Sequence, residues 1–79
     1  MNYYDITVVN MSIRKAKSIA VSLNDFHDCS DGDGREAVVK AALENGSLKA
    51  DEVQYICEVE NLTYQDYQEL VEYNRNLFE

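Results

Sequence analysis

The chain opens on a run of aromatic and β-branched residues, Tyr3-Tyr4-Asp5-Ile6-Thr7-Val8-Val9. Such a run predicts a strand, with Tyr4, Ile6 and Val8 on one face. After Asn10 the period changes. Ile13, Ala16, Ile19, Ala20 and Leu23 recur at helical spacing behind Ser12, a residue able to cap a helix. Arg14, Lys15, Ser18 and Ser22 fall off that stripe, so the expected helix has a buried face and a solvated basic one. Residues 24–34 read as a loop, with two glycines and four aspartates. Asp33-Gly34-Arg35-Glu36 then fits a capping box. The helix it opens carries Val38, Val39, Ala41, Ala42 and Leu43, and Asn45-Gly46 supplies a left-handed stop.

The next segment supports two readings. In Glu52–Glu60 the apolar positions 53, 55, 57 and 59 alternate as in a strand, with Ile56 the exception. A helical template instead joins Val53, Ile56 and Cys57, then Tyr55 and Val59. We read a strand, because the first strand needs a partner for its backbone groups. That reading buries Cys57 beside Val53 and Val59 and leaves Cys29 in a loop. The last element is a helix capped by Thr63, with Asp66 three residues on. Its stripe is Tyr67, Leu70, Val71, Leu77 and Phe78, with Gln65, Glu69, Glu72, Asn76 and Glu79 opposite. The expected fold is α+β: a small β-α-α-β-α domain over residues 1–79, with a two-stranded sheet packed by helices. If residues 52–60 are helical, the domain is mostly α with one N-terminal strand, which would pair between the subunits of a homodimer.

Length and charge narrow the function. Seventy-nine residues cannot build a barrel or a full dinucleotide fold, and no apolar run is long enough to span a membrane. Met1–Asp5 has neither the basic start nor the apolar core of a signal peptide, so a cytoplasmic location with reduced cysteines is expected. Net charge is −8, split unevenly: residues 1–24 carry +2 and residues 25–79 carry −10. Direct binding to nucleic acid is disfavoured, since Arg14, Lys15 and Lys17 are too few to offset that charge.

Candidate chemistry is sparse. Asp31-Gly32-Asp33-Gly34 resembles part of a calcium loop, but with Asp31 and Asp33 at loop positions 3 and 5 the first position is Cys29 and the twelfth is Lys40. His27, the one histidine, with a local cysteine falls two ligands short of a zinc site. A Cys29 or Cys57 nucleophile would need His27 beside it and a third group to orient the base. Ser30 lacks a nucleophile elbow, and the loop aspartates would repel phosphate. The expectation is a chain without enzymatic activity, metal or other cofactor. Six tyrosines and no tryptophan, set among acids, give the composition of a protein-binding surface.

Two resemblances add to this. Gly46, Val53, Ile56, Cys57, Leu62, Thr63, Tyr67 and Leu70 follow the pattern of the small phage XkdX family over residues 45–71, with Glu60 where that family has a glycine. This resemblance implies a phage origin and a helix over residues 52–60. In size, acidity and lack of chemistry the chain is also similar to phage anti-defence proteins of the anti-CRISPR and antirestriction kind. That likeness implies an inhibitor acting in the host cytoplasm, presenting carboxylates to a basic nucleic-acid-binding site on a nuclease or CRISPR surveillance complex. The residues assigned to such a partner are Glu58, Glu60, Asp66, Glu69 and Glu72, then the loop acids Asp28, Asp31 and Asp33. The alternative is a phage structural or regulatory adapter binding protein through an apolar, tyrosine-rich surface.

Overall fold

The computed structural model describes residues 1–77, for Leu77 its backbone only. Its elements are β1 (Asn2–Asn10), β2 (Lys15–Leu23), α1 (Gly32–Glu44), a 3₁₀ turn (Ala50–Tyr55), β3 (Ile56–Leu62) and α2 (Tyr64–Leu77). The class is α+β, as the alternation and the caps imply. The sheet has three antiparallel strands in the order β2-β1-β3. The element order is therefore β-β-α-β-α, which corrects both the two-stranded sheet and the helix expected after Ser12.

The correction has a local cause. Asn10 Oδ1 accepts the Ser12 N–H at 3.1 Å, an Asx turn, and the Arg14 N–H donates to the Met11 carbonyl at 3.3 Å. The chain reverses over Met11–Arg14, and nine consecutive residues of β2 then pair with β1. The same residues that recur at helical spacing also alternate. Ile19 pairs with Ile6 and Val21 with Tyr4 on one face, while Ser18, Ala20 and Ser22 lie on the other. Packing against β1 decides between the two periods.

The sheet is a middle layer. On one face Tyr4, Ile6, Val8, Val21 and Val59 form the core with Val38 and Ala42 of α1, Leu48 and Cys29. On the other lies α2: Tyr3 packs against Tyr64 and Tyr67, with ring centroids 5.3 and 4.6 Å apart, and Asn74 Nδ2 donates to the Ser18 carbonyl at 2.8 Å. The helix ends largely follow the caps. Asp31, and not Asp33, caps α1, its side chain accepting the Asp33 N–H, and Asn45 closes the helix before Gly46 at φ 83°. Thr63 Oγ1 accepts the Asp66 N–H at the start of α2, as expected. Leu77's side chain, Phe78 and Glu79, assigned to that helix's two faces, lie outside the described residues.

Residues 52–60 are neither one strand nor the helix that the XkdX pattern implies. They divide into the 3₁₀ turn and β3. A bulge explains the exception at Ile56: Thr7 pairs with Glu58 and Val8 with Ile56, so Cys57 is the extra residue. It keeps Ile56 against the core and Val59 within it, and turns Cys57 outward. The expected burial of the two thiols is thereby reversed, with Cys29 buried and Cys57 exposed.

Candidate functional site

Like charges gather at β3. Alternation places Glu58 and Glu60 on the face that β1 presents through Asp5 and Thr7, and Asp5 lies directly across the ladder from Glu60. Like charges directly opposite are destabilising. The groups record the repulsion. Burial, and then Glu58, hold the Asp5 carboxyl above its ordinary value, while Ser18 and Thr7 hydroxyls pull the other way. Glu60 is raised chiefly by its hydrogen-bond contact and repulsion with Glu58. Asp5 Oδ1 is buried and has no hydrogen-bond partner among the described residues. Among the described residues the one ion pair, Lys17 with Glu52, lies elsewhere.

A cleft of about 670 Å³ opens along this edge, lined by Cys57–Asn61 of β3 and by Cys29, Ser30 and Arg35. Asn61 binds the loop to the strand: its Oδ1 accepts the Cys29 N–H at 3.0 Å and its Nδ2 donates to the His27 carbonyl at 2.8 Å. The Tyr4 hydroxyl holds the other side, donating to the Asp25 carbonyl at 3.1 Å and accepting the His27 N–H at 2.8 Å. Arg35 Nη1 donates to the Cys29 carbonyl at 3.0 Å. Burial, then the charge of Asp28, pushes the Cys29 thiol above its ordinary value; Arg35 opposes this and Glu60 adds to it. A thiol raised in this way is a poor nucleophile.

The eight acids assigned from sequence are spread over β3, α2, the loop before α1 and the first turn of α1. Glu58 and Glu60 come together on β3, and Asp28 lies in the loop that Asn61 fastens beside them. Asp28 is occupied locally: its Oδ1 accepts both the N–H and the hydroxyl of Ser30, which holds its carboxyl below the ordinary range. Asp31 is spent on the α1 cap, and Asp33 stands exposed in the first turn. Asp66, Glu69 and Glu72 are exposed on α2, across the sheet from α1. Glu72 lines a separate groove with Tyr64, Tyr67 and Arg75.

The residue missed in the sequence is Asp5. Its signal was available, since it alternates with Tyr3 and Thr7, away from the core set. Its neighbours required the strand pairing. No group of three or more His, Cys, Asp and Glu among the described residues is disposed to hold a metal ion, and none of the described helices is long and apolar enough to cross a membrane. No protein-family model matches the chain, and neither does any curated protein or solved structure.

Proposed function

We propose that this chain is a non-enzymatic, acidic protein-binding inhibitor, phage-encoded and acting in the host cytoplasm, whose β3 edge occupies a basic nucleic-acid-binding site on a partner. A nuclease or a CRISPR surveillance complex is the kind of protein that offers such a site. One observation carries the reading: Asp5, Glu58 and Glu60 share one side of the sheet and none of them forms an ion pair among the described residues, although Arg35 lines the same cleft, and crowding of this kind costs the free protein stability. Incoming Lys or Arg groups would relieve the repulsion and form charge-assisted hydrogen bonds, so the strain becomes binding free energy. Glu58 and Glu60 stand about 6.8 Å apart by strand rise, on a sheet that fixes their spacing.

The test is capture from a bacterial lysate on immobilised protein, with wild type beside the Glu58→Lys, Glu60→Lys variant. The inhibitor reading expects a captured protein that competing DNA and rising salt both displace, and that the variant no longer retains. Tyr64 and Tyr73 are 57% and 60% exposed, which favours an adapter as the second reading. Capture that resists DNA and survives the double lysine change, but is lost with Tyr64→Ala or Tyr73→Ala, would replace the first reading with the second.

A further inference from the structure

The two outer strands carry opposite charge at the same spacing. On β2, Lys15, Ala16 and Lys17 are exposed; on β3, Glu58 and Glu60 are exposed on either side of buried Val59. We propose that the acidic edge of β3 docks against the basic edge of β2 on a second copy of this chain, strand to strand and antiparallel, so that Lys15 faces Glu60 and Lys17 faces Glu58. The inference rests on reading the β3 edge as a docking site for cations, and it names their source.

Three features select this pairing. Each edge is closed on one flank of the matching stretch. On β2, the Ser18 carbonyl is already taken by Asn74 of α2, and residues beyond it are half-buried or buried. On β3, the bulge at Cys57 ends the regular edge at Glu58. Caps and bulges are ways of closing sheet edges against pairing, and here they leave open the two segments that match. The register also fits throughout, because antiparallel order places Ala16 opposite Val59 between the two Lys–Glu pairs. The symmetric alternatives are repulsive: β3 against β3 sets glutamates opposite glutamates, and β2 against β2 through its exposed stretch sets lysines opposite lysines.

Charge also sets the conditions. Two copies of net charge −8 repel, but at about 0.15 M salt the screening length is ~8 Å. Paired strands lie about 4.8 Å apart, well inside that length. Contact pairs therefore persist while the bodies are largely screened. Lys15 has no ion pair among the described residues, whereas Lys17 would be shared between Glu52 and the incoming Glu58. Because the two edges differ, the contact is head-to-tail, and each added copy leaves one acidic and one basic edge for the next, as a ring or an open chain. Association is then weak, grows with concentration, and passes through a maximum as salt rises from very low to high.

Sedimentation equilibrium over a concentration series at about 0.15 M salt tests this. Wild type should gain mass with concentration, and Lys15→Glu should weaken association about tenfold or more, its circular dichroism showing the fold intact. A Glu58→Lys, Glu60→Lys chain and a Lys15→Glu, Lys17→Glu chain should each stay monomeric alone and associate when mixed. Should the second of these fail to fold, the single Lys15→Glu variant still decides the matter. A wild type that stays monomeric, or variants that associate like it, would overturn the proposal. Titrating pentalysine into the isotope-labelled protein separates the two readings. Shifts at Glu58 and Glu60 in a monomeric wild type overturn the second copy but keep the cation site, whereas no shift overturns both.

Discussion

Replacing Asp5 with Asn should make the protein more stable at neutral pH, against the usual effect of substitutions in a central strand. Asp5 sits in β1 under α2, opposite Glu60, with one carboxylate oxygen buried and unpartnered. A fully buried polar group without a partner costs about 1–3 kcal/mol. Asp5 is only half-buried, so solvent screens part of this and the lower end applies. Asn is nearly isosteric, keeps an acceptor for the Ser18 and Thr7 hydroxyls, and can turn an N–H toward Glu60. The expected gain is ~1 kcal/mol at pH 7, a rise in Tm of roughly 4–8 °C for a domain of this size.

The pH dependence fixes the mechanism. The folded-state pKa of Asp5 is raised. Its penalty is therefore absent below the unfolded value of about 3.9, grows as pH climbs toward the folded value, and is complete above it. Wild type and variant should melt together near pH 3 and diverge as pH rises to 7. Taking the difference between them cancels Asp28 and Glu52, whose lowered values act in the opposite direction in both proteins. Thermal melts followed by circular dichroism from pH 3 to 8 measure it. A variant equal to or less stable than wild type at pH 7, or a gap that does not change with pH, would refute the account of Asp5 as a strained carboxylate.

Three further outcomes follow from the geometry. Tyr4→Phe leaves the His27 N–H and the Asp25 carbonyl without their shared hydroxyl, and should cost about 1–3 kcal/mol in urea unfolding. Cys29→Ser puts a hydroxyl in the core and should cost roughly 1–3 kcal/mol, while Cys57→Ser, at an exposed bulge, should leave the unfolding midpoint unmoved. Gly34→Ala would set a Cβ 1.9 Å from the Asp28 carbonyl oxygen, so loop and helix start must part; a loss above about 2 kcal/mol is expected, read by the same unfolding curves.

Much of the frame was legible because local chemistry and tertiary structure agree there. β1 alternates without competition, and Thr63 and Asn45-Gly46 mark helix ends by bonds formed within a few residues. β2 was illegible for the opposite reason. Ile13, Ala16, Ile19, Ala20 and Leu23 satisfy a helical stripe as well as Ile19, Val21 and Leu23 satisfy an alternating one. The choice is made by nine pairings with β1, which no local window contains. Cys57 failed through one residue. The alternation of positions 53, 55, 57 and 59 holds only for an unbroken strand, and the bulge shifts everything before Glu58 by one place.

The same reasoning explains why the acidic composition points to only part of the candidate site. Charge counts place ten excess negative charges in residues 25–79 but say nothing of which acids lose solvent or face one another. Asp31 and Asp28 carry formal charge as Glu58 and Glu60 do, yet the fold spends them on backbone N–H groups, which satisfy a carboxylate and leave it little reason to seek a partner. Among the described residues Glu58 and Glu60 have no such outlet. They are fixed at strand spacing, and Asp5 faces Glu60 from a strand whose Tyr4, Ile6 and Val8 build the core. A sheet that tolerates this repulsion in the free state will gain more than an ordinary acidic surface when a cation arrives. That difference between satisfied and unsatisfied acids comes from the fold, and it is why the β3 edge, and not the whole negative surface, is where binding should be sought.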